Sequence, residues 1–588
     1  MPPAGQNPFE KGSRHLPKLL IFLFYFFHLW YNTTLDKEIN MIWQQKADAF
    51  LGKYLGELAE IELKQTTRYW QAANSGKKED FDAYAAADLE LRKLHSSRRR
   101  YKEIEELLAH KDQLNPLTHR SLTVAELRFK ENQLPKKTLE KLVKLSAEIE
   151  QIFNTFRGEL NGKQYSNNDL LELLKKENDS PTRQKIWETL KQTGDAVAAK
   201  LITLATVRNE AAEKLGFPNY RDMQIKLQEH DPEQLQDIFA ELETSTAEPF
   251  KQMKEKVDAE LAQRFNVPKE EIMPWHYDNP FFQAVPPSGK VDPDEFYKDK
   301  KKEEIIGLAQ RFYAGIGLAT DSIVKKSDLY EREGKDQHAF CTDIDRRGDV
   351  RILTNIKPTA DWMDTALHEL GHAVYSAGLD FSLPFNLREA AHIFTTEAVA
   401  MLFGALAKNP AWIVANTGAN PDRVKEVEAV ILEQRRREQL IFARWTLAMF
   451  HFEKALYENR GTGDRGLSDL NELWWETTAR FQLLKPPAGR DVRLHADWAA
   501  KPHFTIAPVY YHNYMLGELF AAQMRAALAS LVHHNGKAST LDYNKHNEFG
   551  LFFKEKIFKP GMTKPWPQFV KNAAGEPLTA RYFAEELK

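Results

Sequence analysis

Apolar residues recurring every three or four positions, with lysine and glutamate between them, run through most of this 588-residue chain. Over Thr138 to Gly158 they are Leu139, Leu142, Leu145, Ile149, Ile152 and Phe153, the stripe that one face of an α-helix buries. Pro421 to Tyr457 is another such stretch. Ser180-Pro181, Asp231-Pro232 and Asp292-Pro293 each read as a capping residue with proline at the first helical position. Glycine is sparse and alternating runs are few, so the pattern predicts a mainly α fold. One exception is HAFCTDI (338–344) and VRILTNI (350–356), which flank Asp345-Arg346-Arg347-Gly348-Asp349 and predict a single β-hairpin. Arg347-Gly348-Asp349 is read as turn chemistry and not as an adhesion tripeptide. There is no repeat of 20–50 residues.

Composition excludes several classes of function. The net charge of −3 offers no basic excess for nucleic acid, and Arg98-Arg99-Arg100, followed by Glu103, Glu105 and Glu106, reads as a solvated helix face. The single cysteine, Cys341, rules out an internal disulfide framework and any cysteine-rich metal site. Leu19 to Tyr31 is apolar except for His28 and follows Lys11, Arg14 and Lys18. It is short for a bilayer span. Residues 1–40 are therefore read as a signal or anchor segment, or as a start placed ahead of Met41. The first implies a periplasmic or secreted protein and the second a cytoplasmic one. No stable membrane insertion is expected beyond that segment. Residues 41–588 carry the fold, with Ala284 to Pro293 as the best loop.

The chemistry concentrates in TALHELGHAV (365–374), an HExxH pattern in a helical context, with Thr359 and Asp361 as start signals and Gly378 as the stop. Spacing of i, i+4 puts His368 and His372 on one face, able to share one ion. Glu369 can then reach a water at that ion without being a ligand. Catalytic zinc needs a third protein ligand. The helix expected over 386–408 offers Glu389, His392 and Glu397. Asn386 and Glu389 fit a capping pair, which demotes Glu389. Glu397 lies in an apolar stretch, where a carboxylate needs a partner that a metal would supply. His392 is read as either a packed side chain or a supporting group. Farther on, Lys501, His503, Tyr510, Tyr511, His512 and Tyr514 fall within fourteen residues. Such groups can donate hydrogen bonds to an oxyanion or a peptide carboxylate; the tyrosine spacing also fits core packing for one of them.

Together these motifs resemble the angiotensin-converting-enzyme family of zinc peptidyl-dipeptidases, with a more distant likeness to the thimet-oligopeptidase group. The similarity runs from about Met41 to the end and is motif-specific between His338 and Tyr514. HELGH resembles the family's HExGH. LREAAHIFTTEA resembles its LREGANPGFHEA, which places the third zinc ligand on Glu397. HAFCTDIDRRGDVRI resembles HASAWDFYNGKDFRI and implies that His338, Ala339 and Cys341 lie on a strand pairing with the substrate backbone. KPHF…YYHNY resembles KFHI…PYIRYF with one extra residue. It implies Lys501 and Tyr511 at the substrate's C-terminal carboxylate, and His503 and Tyr514 beside the scissile carbonyl.

This sequence departs from the family in three places. Trp275-His276-Tyr277 stands where a glutamine two residues after a tryptophan helps hold the carboxylate; Tyr277 could donate one hydrogen bond there. Asn513 replaces a chloride-binding arginine, so chloride is not expected at that position. Met401 replaces an aspartate four residues after the third ligand, so the surroundings of the metal must differ. The resemblance implies two helical halves around a deep central cleft, a small hairpin beside the zinc helix, and a single catalytic domain over 41–588. It implies one Zn²⁺ held by His368, His372 and Glu397, and release of dipeptides from short peptides with a free C-terminus. Endo-cleavage of the thimet kind and a non-catalytic peptide-binding relative are the alternatives.

Overall fold

The computed structural model describes residues 16–286, 291–458, 466–536, 538, 541–544 and 546–588, with side chains from residue 41 onward. It is overwhelmingly helical. The helices that build the site are α1 (Leu16–Ser75), α2 (Pro116–Glu131), α3 (Lys136–Thr155), α4 (Ser180–Lys214), α5 (Pro232–Phe265), α6 (Ala360–Ala377), α7 (Ile393–Gly404), α8 (Pro421–Glu458) and α9 (Tyr511–Leu531). Two antiparallel hairpins complete the described fold: β1 (Gly158–Leu160) with β2 (Lys163–Tyr165), and β3 (Phe340–Asp343) with β4 (Val350–Leu353). The second is the expected one. The first was missed, because strands of three residues carry too little alternation to register.

The cap signals hold with local shifts. Asp231 accepts from the backbone N–H of Glu233 and Gln234 and opens α5. At the head of α4 the cap is Asp179, one residue before the predicted serine. Asp292 opens only a 3₁₀ turn, Pro293–Phe296. In the turn between β3 and β4, Asp345 accepts from the N–H of Arg347 and Asp349 at 2.8 and 3.1 Å, while Arg346 and Gly348 take positive φ. Arg347-Gly348-Asp349 is thus a turn held by its own aspartates.

Apolar burial divides into two cores. The larger joins α4, α5, α6, α7, α8 and α9. The smaller is built from α1, α2 and the helix Arg98–Ala109, through Tyr54, Leu58, Ile104, Leu122 and Phe129, and takes in Phe385 from the segment between α6 and α7. A ring of charges stitches the two together. Glu62 of α1 pairs with Arg128 of α2 at 3.1 Å and with Arg346 of the hairpin turn at 2.8 Å. Glu389, ahead of α7, closes the ring through Arg128 at 2.5 Å and through Arg346. The N-terminal layer therefore grips both the hairpin and the segment leading into α7.

Among the described residues no single helix is long and apolar enough to cross a membrane; the bent pair Ile393–Lys408 and Pro410–Thr417 has the composition for it, but its first member contributes to the larger core. The reading of residues 1–40 as a signal or anchor concerns side chains outside the described residues. The central part of the expected loop over 284–293 also lies outside them.

Candidate metal and peptide-binding site

Helix α6 begins and ends as its sequence predicts. Thr359 caps it, accepting from Trp362 N–H at 3.2 Å, and Gly378 terminates it. That glycine is set by space and not by φ: a Cβ there would stand 2.5 Å from Phe558 Cδ2. Gly371, inside the HELGH run, has the same kind of role. A Cβ on it would approach Ala400 Cα to 2.9 Å, so its absence lets α6 and α7 pack backbone to backbone.

This close approach brings the three expected ligands together. His368 Nε2 and His372 Nε2 are 3.2 Å apart, and Glu397 Oε2 lies 3.7 and 3.9 Å from them. A tetrahedral zinc ion with bonds of about 2.0–2.1 Å holds its ligand atoms roughly 3.3 Å apart, so the donors nearly stand at coordinating separation. Among the described residues this is the one His/Cys/Asp/Glu group so arranged. The electrostatics agree. Burial drives His368 to about 4, and burial with the neighbouring His368 drives His372 to about 3. Both rings are neutral at pH 7 and keep lone pairs to give. Burial, then the neighbouring Glu518, pushes Glu397 up to about 7. Burial, then Glu397, pushes Glu369 up to about 8. Two crowded carboxylates without a nearby cation are what a divalent ion would relieve, so the donor set fits zinc.

The other candidates beside α7 have different duties. The helix starts at Ile393 and not at 387, and His392 is its cap: His392 Nδ1 accepts from Phe394 N–H at 3.2 Å and Nε2 donates to the Gln228 carbonyl at 2.9 Å. With both ring nitrogens engaged, His392 is not a metal ligand. Asn386 and Glu389 do not form the expected capping pair. Asn386 hydrogen-bonds Ser121 of α2, and Glu389 belongs to the charge ring described above. The sequence suggested a cap because Asn and Glu three apart favour one, but tertiary ion pairing won.

Tyr514 and Tyr510 lie near Glu397, whose charge adds to burial in raising both phenols. Tyr511 packs edge-on to Tyr514 with ring centroids 5.4 Å apart, and against His503 at 5.0 Å. Burial and the nearby Lys501 hold His503 at about 4, and its Nδ1 has no protein partner. Lys501 is 6% exposed and lies over the rings of Trp445 and Tyr511 at 5.2 and 5.5 Å. Asn513 is locked between His230 Nε2, at 3.1 Å, and Gln228 Oε1, at 2.8 Å.

The expectations for Tyr277, and for His338 and Ala339, need correction. The Tyr277 hydroxyl is not free to donate a hydrogen bond to a substrate carboxylate. Tyr277 is 2% exposed, and its hydroxyl is committed to Asp258 at 2.8 Å and Lys254 at 2.5 Å. The residue that meets Lys501 is Gln283, whose Oε1 accepts from Nζ at 2.6 Å. Spacing from the tryptophan could not have found it: Asn279 caps a turn by accepting from Phe281 N–H, and the left-handed φ of Phe282 precedes Gln283. Finally, His338 and Ala339 stand ahead of β3 and not within it. His338 is exposed, with Asp336 3.5 Å away. Cys341 does lie on β3, opposite Ile352, near enough for the Glu369 charge to add to the burial that raises its thiol. Strand β3 pairs only with β4, so its other edge is open among the described residues.

The helical scaffold thus sets an HExxH helix, a glutamate from the next helix and a hairpin side by side, with a donor group able to hold one metal ion. The family model described as angiotensin-converting enzyme matches residues 42–583, and the chain belongs to that family, which is zinc-dependent. It is similar to the angiotensin-converting enzymes of rat (Rattus norvegicus; 22% identical, 51% of this chain and 23% of the relative), pig (Sus scrofa; 23%, 50% and 22%) and rabbit (Oryctolagus cuniculus; 24%, 46% and 20%). The matched stretch spans less than a quarter of each relative's length.

Proposed function

We propose that this protein is a zinc-dependent peptidase that releases dipeptides from the C-terminus of short peptides. The observation that carries this reading is Lys501, a buried ammonium whose polar partner is the neutral amide of Gln283. Burying an unpaired cation is costly, and burial alone brings this lysine down to about 8. A substrate's terminal carboxylate would be the missing counter-charge, and Tyr511, whose ring centroid is 5.5 Å from the ammonium, would donate a second hydrogen bond to it.

His368, His372 and Glu397 would hold the metal, which when bound supplies Lewis-acid polarisation of the scissile carbonyl and a water of lowered pKa. Strand β3 offers its open edge, at Cys341, to an extended substrate. Glu369 takes the proton of the attacking water as its oxygen bonds to the carbonyl carbon, then delivers that proton to the departing amine as the C–N bond breaks. Tyr514, kept protonated by its surroundings, and His503, kept neutral, donate hydrogen bonds to the developing oxyanion.

A cavity of about 520 Å³ adjoins the anchor, lined among others by Gln283, Lys501, Pro502, Asn279 and Asn154. It has the size of a ligand pocket and favours, as a second reading, cleavage farther from the C-terminus. Mass spectrometry of the products from a ladder of peptides with free or amidated ends tests both. Dipeptide products and a strong loss of rate on amidation are expected. Equal rates on both ends, with longer products, would replace exo-acting release by endo-cleavage.

A further inference from the structure

We propose that Thr396 is the residue that sets the His372 ring for metal binding. The inference rests on the zinc reading above. His372 Nε2 faces His368 and Glu397, so it must offer a lone pair, and the ring proton must then sit on Nδ1. The Thr396 hydroxyl lies 2.7 Å from that Nδ1 and accepts the proton's hydrogen bond. Thr396 reaches this position because it stands next to the ligand Glu397 on α7, one turn past the His392 cap.

Met401, which stands where the family resemblance has an aspartate, does not take this role, and its thioether accepts hydrogen bonds only weakly. It turns instead toward α9, where its sulfur would stand 3.4 Å from a Cβ built on Gly517. The His372 partner is therefore a neutral hydroxyl and not a carboxylate. A hydroxyl orients the ring and fixes its tautomer without lending the imidazole negative charge, so the ligand is less electron-rich than one backed by an acid. Thr396 is a positioning residue: it touches the ligand, not the substrate.

The test compares zinc dissociation constants by chelator competition for the wild-type full chain, Thr396→Val and Thr396→Ser, with thermal melts of each metal-free protein. Valine keeps the branched shape and removes only the acceptor, whereas serine keeps the acceptor. Thr396→Val is expected to weaken zinc binding about 10-fold or more, Thr396→Ser to stay within about threefold of wild type, and the metal-free melts to coincide. Equal affinity of Thr396→Val and wild type overturns the proposal. So does equal weakening of the valine and serine variants, which would point to packing and not to the hydroxyl. A wild-type chain that takes up no zinc instead overturns the metal reading itself.

Discussion

Lys501 Nζ lies 2.6 Å from Gln283 Oε1, and no described carboxylate stands within ion-pairing distance of that ammonium. In the proposed function this pair is the anchor for an anion that the protein itself does not supply. Replacing Lys501 by Met should raise KM and lower kcat/KM about 100-fold on peptides with a free C-terminus, roughly 3 kcal/mol for a desolvated charge pair. Amidated peptides should lose little. Steady-state kinetics on matched free and amidated substrates check this, and an equal loss on both would remove Lys501 from the anchor.

The same anchor predicts a pH dependence. Burial lowers Lys501 from 10.5 to about 8. A lysine is charged below its pKa, so the cation is present at pH 7 and is lost as pH rises through that value. For free-carboxylate peptides kcat/KM should therefore fall on the alkaline side of about pH 8, while for amidated ones this limb should be missing. A profile of kcat/KM against pH for the two substrates shows whether the limb depends on the carboxylate.

Glu369 is 7% exposed on the same turn of α6 as the two histidines. Changing it to Gln keeps its shape and leaves the three metal donors in place, but removes the proton acceptor. Zinc content should be unchanged, and turnover should fall on the order of 10²–10⁴-fold. Metal analysis and single-turnover rates on the same sample decide it; wild-type turnover in Glu369→Gln would exclude it as the base.

How much of this was legible in sequence follows from how local each signal is. His368, Glu369 and His372 sit within one helical turn and could be read from spacing alone. Glu397 required the logic of a buried carboxylate, and the family resemblance agreed. Gln283 was invisible, because the turn at Asn279 and the left-handed Phe282 decide where its side chain goes, and neither shows as a motif. Glu389 misled, because a capping pattern is local while its ion pairs to Arg128 and Arg346 join segments more than 200 and about 40 positions away. The short β1–β2 hairpin failed for want of length.

The charge ring predicts that the N-terminal layer supports the metal site from a distance. Arg128→Leu would leave Glu62 and Glu389 sharing Arg346 alone. Breaking a buried pair by removing one partner costs about 3–5 kcal/mol, and partial exposure of Glu389 brings the expected figure to roughly 2–3 kcal/mol. The melting temperature should drop by several degrees, and zinc affinity should weaken with it, since Glu389 precedes the helix that carries Glu397. Calorimetry with and without zinc measures both. A lowered melting temperature with unaltered zinc affinity would confine the ring to stability.

Behind α7 and α9, His230, His392 and His512 meet in a buried cluster, His230 standing 4.6 and 4.9 Å from the other two rings. Burial lowers His230 to about 4; it also lowers His392 and His512, with the neighbouring His230 adding to both. Arg221 bears on His512 as well and opposes a further positive charge. Each ring is thus neutral when folded but takes up a proton near pH 6.5 when unfolded. Between about pH 6.5 and 4 the unfolded chain binds more protons, so stability must fall as pH falls through that window. For His230 alone the full loss is on the order of 3 kcal/mol. Thermal melts from pH 7.5 to 5 should show a steep decline on the acid side, and His230→Gln, which keeps a partner for Asn513, should flatten it. An acid limb identical in the wild type and in His230→Gln would place the acid sensitivity elsewhere in the protein.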